Sequence, residues 1–237
     1  MKRVIGIVGF KNSGKTTLTR ALAQELVARG HAVAALKHTS HQVDVAEKDT
    51  ATLLEIADQV AIVSDGMTGV FWRDSMSLED VLAYLDADIV LVEGFKEEKS
   101  YPKIACLRGE TDDADLLDGL VVAVTGPTDQ VEVSGIPAFD RDDVAAIAGL
   151  VESAAFKLPN LDCKGCGRET CYEMAREIVA GTGSIDECVS LRPSVEVTID
   201  GQPMALNPFI SGIVESTVLG LLSSLKGFRE GKVEIRL

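Results

Sequence analysis

A chain of 237 residues, 46% hydrophobic and 25% charged, has the balance of an ordinary globular protein, which excludes general disorder and permits a sizeable core. Acidic residues outnumber basic ones by 37 to 23, and at a net charge of −14 with no basic run, phosphate backbones and anionic lipid surfaces are repelled. Nucleic acid and membrane are therefore poor partners; no apolar stretch reaches the roughly 18 residues of a spanning helix, and a cytoplasmic location is expected.

The length covers one α/β domain with roughly 80 residues to spare, so a second, smaller unit is expected. Residues 3–9 read as a buried strand of the kind found at the centre of a parallel sheet. Directly after it, GFKNSGKT at Gly9 to Thr16 matches G-x-x-x-x-G-K-[ST] in full, and an amphipathic helix over about 15–29 follows, with Leu18, Leu22, Leu26 and Val27 on one face. Strand, loop and helix are the context that confirms a phosphate loop. A purine nucleoside triphosphate is expected there, held by Gly9, Asn12, Ser13, Gly14, Lys15, Thr16 and Thr17. Lys15 would bridge the β- and γ-phosphates, and the Thr16 hydroxyl would take one position on Mg²⁺.

An apolar run at 32–36 leads into a polar loop, a helical stretch near 50–57, and strands at 59–63 and 69–73. Ser77 opens a helix ending near Leu85, with Asp80 completing a capping box. DIVLVEGF at 88–95 is a second buried strand. Glu93 stands at its end, where a phosphate loop needs a carboxylate near Mg²⁺; a plain strand-end acid is the other reading. Asp88, about 17 Å away along the strand, is rejected. Asp49 serves either as a second acid on the Mg²⁺ side or as a first-turn carboxylate stabilised by a helix dipole. His38 and His41 lack a third zinc ligand in view and read as loop residues. Trp72 and Phe71 are assigned to core or interface.

Apolar runs at 103–107 and 119–124 and a helix over about 141–155 complete an alternating pattern. It implies an α/β fold: a mostly parallel sheet with helices on both faces. Together GFKNSGKTTL at 9–18, LKHTSH at 36–41, KDT at 48–50 and VEGFKEEKSYPKI at 92–104 resemble the MobB family. These are the P-loop accessory proteins of molybdopterin guanine dinucleotide biosynthesis. The resemblance spans roughly residues 1–155. It implies GTP binding with slow hydrolysis, a dimer, and help for a nucleotidyltransferase that joins GMP to molybdopterin. It also implies phosphate and Mg²⁺ roles for Lys15, Thr16 and Glu93, and places Lys37, His38 and Asp49 in an active-site loop. The residues themselves leave GTP against ATP open, because no N-K-x-D string is present.

Beyond residue 156 the composition changes. Cys163, Cys166, Cys171 and Cys188 are spaced C-x2-C-x4-C-x16-C, a density of soft ligands that suits Zn²⁺ or a [4Fe-4S] cluster; spacing alone does not decide. The wider string LPNLDCKGCGRETCYEMAREIVAG, ending in DEC, resembles the four-cysteine [4Fe-4S] domain of corrinoid iron-sulfur proteins and implies the cluster. Cys106 reads as a small buried apolar residue. A helix over about 169–180, a hairpin turning at Asp200-Gly201, an apolar helix over about 208–225 and a last strand, VEIRL, close the chain. That apolar helix is read as core for the hairpin, with a dimer surface as the second reading.

The expected organisation is a P-loop NTPase domain at 1–156, a cluster module at 157–193 and a small α+β tail at 194–237. The expected function is that of a GTP-binding accessory protein in molybdenum or tungsten cofactor maturation. A nucleotide-gated electron-transfer or metal-delivery protein is the alternative.

Overall fold

The computed structural model describes residues 2–39, 48–129, 131–192, 195–199, 202–229 and 233. The first buried run forms β1 (Arg3–Val8), and the helix after the loop is α1 (Lys15–Ala28). There follow β2 (Val33–Lys37), α2 (Lys48–Leu54), β3 (Gln59–Val63), β4 (Thr68–Trp72), α3 (Leu78–Tyr84) and β5 (Ile89–Glu93). Then come β6 (Lys103–Cys106), β7 (Val121–Thr125), β8 (Ala138–Phe139) and α4 (Val144–Ala154). Among the described residues six strands make one sheet in the order β2-β5-β1-β6-β7-β8, and each neighbouring pair is parallel. The expected α/β architecture is present.

Both faces of this sheet are covered, which is why its central strands are apolar at nearly every position. Ile5 and Ile7 of β1, with Ile89 and Leu91 of β5, pack under Leu18, Leu22 and Leu26 of α1 and Ile147 and Val151 of α4. Val4, Val90 and Val92 point the other way, against Leu78 and Leu82 of α3 and the ring of Tyr101. Each such buried aliphatic side chain contributes ~1.5–3 kcal/mol relative to exposure, so the two layers anchor β1 from both sides. The Ser77–Asp80 capping box starts α3 as expected. On the far edge of the α1/α4 layer, Glu152 of α4 accepts from Arg29 and meets His31, locking the end of α1.

Three expectations are corrected. Val27 is 57% exposed; it lies about 100° around the helix from Leu26, outside the packed stripe. β3 and β4 form a separate antiparallel hairpin and do not join the parallel sheet. The link between them is too short for a parallel crossover, which needs a dozen residues or more. Beyond α5 (Cys171–Val179), a hairpin of β9 (Val197–Ile199) and β10 (Gln202–Met204) precedes α6 (Pro208–Ser223). The apolar side chains of α6 do not form the hairpin's core: Phe209 is 73% exposed and Leu221 68%. Its apolar residues are spread around the helix, and no single stripe exists for a small hairpin to cover. The turn at Asp200-Gly201 and all of VEIRL except Val233 lie outside the described residues, as does His41.

The segment from Phe156 onward shares a core with the sheet domain. Phe156, Leu158, Cys171, Met174, Ala175 and Cys188 cluster around Leu120, which leads into β7. Beside this contact lies a buried ion pair. The Lys103 ammonium, 1% exposed, donates to Asp118 Oδ2 at 2.7 Å and to the Lys96 carbonyl at 2.6 Å, and Lys99 donates to the same carboxylate at 2.8 Å. The Tyr172 hydroxyl donates to the Asp118 carbonyl. Burial on its own would raise the Asp118 pKa, but hydrogen bonds from Lys103 and Lys99 outweigh it and hold the carboxyl below its ordinary value. Its folded pKa is thus depressed, so its contribution to stability is complete above the unfolded carboxylate pKa and is lost as pH falls through the folded one. Asp118→Ala strands a buried ammonium and is expected to cost ~3–5 kcal/mol at pH 7. In urea titrations the gap between wild type and variant should narrow as the pH falls below the ordinary carboxylate pKa; a gap that stays constant under acid would refute this account.

Candidate functional site

The phosphate loop begins where β1 leaves the sheet. Gly9 has no room for a side chain: a Cβ there would meet Ser13 Oγ at 2.3 Å and the Cys106 carbonyl oxygen at 2.7 Å. Asn12 and Gly14 take left-handed backbone conformations, at φ 66° and 89°, and bend the chain into α1. Gly14 is the N-cap of α1 and no side chain caps that end. The first amides of a 14-residue helix therefore have no intrahelical partner, and its positive end favours an anion. The Ser13 hydroxyl, 1% exposed, has no hydrogen-bond partner. An uncapped helix end beside an orphaned buried hydroxyl fits a phosphate.

The charged residues converge here. Thr16 Oγ1 donates to Glu93 Oε1 at 2.8 Å, and Lys37 Nζ stands 3.1 Å from the same oxygen. Glu93 is 6% exposed. The parallel register brings them together, because Ile7 of β1 and Lys37 of β2 both pair with Glu93 of β5. This arrangement could hold a divalent cation between the Thr16 hydroxyl and the Glu93 carboxylate. Lys15 Nζ donates to the Phe10 carbonyl at 2.6 Å. Burial lowers the Lys15 pKa from its ordinary value, and the charge of Glu93 opposes the shift. Thr17 is exposed on the first turn of α1. The His38 ring lies against Phe95, with centroids 4.5 Å apart. Asp49 belongs to α2, and its side chain is outside the description. Asp88 precedes β5, at the end opposite Glu93, and accepts from the Ala32 amide.

The fold adds residues that the sequence did not single out. Lys96 stands over the Phe10 ring at 3.8 Å, and Arg108 over the same ring at 4.7 Å. Arg141 reaches the loop from the segment after β8 and donates to the Leu107 carbonyl at 2.6 Å. Lys96 lies within the quoted VEGFKEEKSYPKI string, three residues after Glu93, whereas Arg108 and Arg141 carry no motif and reach the loop through strand order.

Cys163, Cys166, Cys171 and Cys188 all line one small pocket between Pro159 and Val189. Thr170 caps α5, so Cys171 occupies its first turn, where the helix end favours a thiolate. Burial raises the pKa of Cys171, against hydrogen bonds from the amides of Asp162 and Leu161. Burial likewise raises Cys188, against the amides of Leu191 and Ser190. Arg168 pairs with Glu177 of α5 and with Glu187 beside Cys188, and also donates to the Cys166 carbonyl. Among the described residues no three His, Cys, Asp or Glu side chains converge on one ion position. A single zinc would need four sulfurs about 2.3 Å from one point. Four thiols around a shared pocket, two with backbone donors, are a donor set that a zinc ion or an iron-sulfur cluster could take. Cys106 is buried in the sheet as expected and is no part of this set.

Comparison with known proteins gives two family matches. Residues 4–126 match the model "Molybdopterin guanine dinucleotide synthesis protein B" (MobB), and residues 158–190 match "Putative Fe-S cluster". A Methanocaldococcus jannaschii protein named "Putative molybdopterin-guanine dinucleotide biosynthesis adapter protein" is 32% identical over 233 residues, covering 95% of this chain and 92% of its own. The molybdopterin-guanine dinucleotide biosynthesis adapter protein of Haemophilus influenzae is 38% identical over 130 residues, covering 51% of this chain and 72% of its own. The crystal structure of Bacillus subtilis MobB matches with a TM-score of 0.53 at 27% identity, covering 65% of this chain and 98% of its own.

Gly9→Ala tests the loop geometry without any ligand. The added methyl has backbone on one side and the buried Ser13 on the other, so a loss of ~1–3 kcal/mol is expected in urea unfolding. Wild-type stability would show that the loop is looser than its contacts indicate.

Proposed function

The chain belongs to the MobB family, and from that premise we propose that it is a GTP-binding adapter of molybdopterin guanine dinucleotide biosynthesis. The observation that carries this reading is the uncapped phosphate loop joined to the Thr16, Glu93 and Lys37 constellation. In the proposal, amides from Gly9 to Thr17 bind the phosphates and Asn12 shapes the loop. Lys15 turns from the Phe10 carbonyl to the β- and γ-phosphates. Thr16 and Glu93 hold Mg²⁺, with Asp49 as a further acid on that side. Lys37 pairs with the buried Glu93 carboxylate. Slow hydrolysis is part of this reading, as the family resemblance implies. ATP is the alternative nucleotide.

Cys163, Cys166, Cys171 and Cys188 are assigned to a [4Fe-4S] cluster, with the amides at 161–162 and 190–191 stabilising the thiolates. When bound, the cluster would supply one-electron redox chemistry. The chain divides into a nucleotide domain at 1–156, a cluster module at 157–193 and a tail at 194–237. The partner is a nucleotidyltransferase of cofactor synthesis, or a molybdo- or tungstoenzyme maturation protein; the adapter works as a homodimer in the cytoplasm.

A second reading, a nucleotide-gated electron-transfer or metal-delivery protein, is favoured by one specific set of contacts. Phe10 of the loop touches Lys96, the Lys96 carbonyl accepts from Lys103, Lys103 pairs with Asp118, and the Asp118 carbonyl accepts from Tyr172, the neighbour of Cys171. A shift at the loop therefore has a packed route to the cysteines.

Lys15→Ala should weaken GTP binding at least ~100-fold, the loss of about two charge-assisted contacts, and leave iron content and cluster absorbance unchanged. Added to a GMP-transfer assay, wild-type protein should raise product formation by the partner enzyme and the variant should not. If both proteins act alike, the adapter reading fails. If reduction of a partner by the anaerobic protein requires GTP, the second reading replaces it.

A further inference from the structure

We infer that Arg141 is a nucleotide-binding residue that holds the nucleoside end of the phosphate run, at the α-phosphate. The inference rests on the P-loop reading. Thr16 in the first turn of α1, Glu93 at the end of β5 and Lys37 at the end of β2 meet one another, and they mark the metal and γ-phosphate side of the loop. Arg141 follows β8, at the opposite edge of the sheet, and reaches back across β7 and β6. Its Nη2 donates to the Leu107 carbonyl at 2.6 Å. Its Nη1 stands 3.5 Å from the point where a Cβ on Gly14 would lie. The guanidinium is thus set against the start of α1 from the side away from Glu93.

The electrostatics of that position call for an anion. Gly14 is the uncapped N-cap of α1, the positive end of the helix. A cation placed there is repelled unless a negative group stands between them. Among the described residues Arg141 forms no ion pair, although Asp140, Asp142 and Asp143 flank it. Asp140 accepts instead from the Asp142 amide, and Asp143 from the Ala146 amide. One carbonyl bond leaves most of a five-donor fork for a ligand. The partnerless Ser13 hydroxyl lies in the same loop, 1% exposed, and independently points to a ligand with acceptor oxygens.

The test is Mg²⁺-dependent binding of GTP and of GDP to the full, anaerobically purified chain by titration calorimetry. Arg141→Ala should weaken both nucleotides alike, by about ten-fold, and Arg141→Lys should recover only part of the loss because it keeps charge without the fork. A loss confined to GTP would move the guanidinium to the γ-phosphate and overturn the inference, as would unchanged affinity. Melting of the ligand-free variants separates binding from folding; should Arg141→Ala unfold, Arg141→Lys carries the same comparison. Lys15→Ala is run beside them. If it binds GTP like wild type, the P-loop reading itself fails, whereas its loss beside an unaffected Arg141→Ala sinks the Arg141 assignment alone.

Discussion

The positive, uncapped end of α1 is the interaction around which the rest of this molecule is arranged. A helix of 14 residues concentrates unpaired amides at Gly14 and the residues after it, and among the described residues no side chain caps them. The end cannot move away, because Leu18, Leu22 and Leu26 are clamped between the sheet and α4. β1 is held on both faces, so the loop between strand and helix is rigid on both sides. Ser13, buried against the Gly9 backbone, adds a hydroxyl with no partner. The fold thus keeps a local electrostatic demand that a polyphosphate would meet.

Around this end the sheet sorts charge by strand position. β5 and β2 deliver a carboxylate and an ammonium to one side, where Glu93 and Lys37 form an ion pair 3.1 Å apart. From the other side Arg141, which follows β8, donates to the Leu107 carbonyl beside the loop, while Arg108 after β6 is paired with Glu110 and Asp112. One side therefore suits a metal and the other an anion.

The cysteine segment is not a bead on a string. Its core includes Leu120, and the α5 ring of Tyr172 rests under the ammonium of Lys99 while its hydroxyl reaches the Asp118 carbonyl. The loop that leaves Glu93 ends at Lys103, so one short stretch of chain touches the nucleotide side at its start and the module's anchor at its end. Buried pairs such as Lys103 and Asp118 are costly to break once formed, and they join the two regions stiffly.

How much of this was legible differs by element, for physical reasons. The phosphate loop, the capping box at Ser77 and the buried strands were readable because each depends on residues adjacent in the chain: glycine conformations, a hydroxyl three residues from a carboxylate, an unbroken apolar run. Glu93 was readable as a strand end. The hairpin of β3 and β4 was misplaced because two β-rich runs say nothing of which edge they pair with, although the short Asp65-Gly66 link carried a hint. The apolar residues of α6 were counted as core on composition alone. Local sequence thus determined the anion site, the four thiols and the α/β alternation. Only the tertiary structure decided that Lys37 meets Glu93, that Arg141 meets Gly14 and that Tyr172 meets Asp118. Each of those contacts joins residues far apart in the chain, and their distance is set by strand order and packing, which no spacing along the sequence encodes.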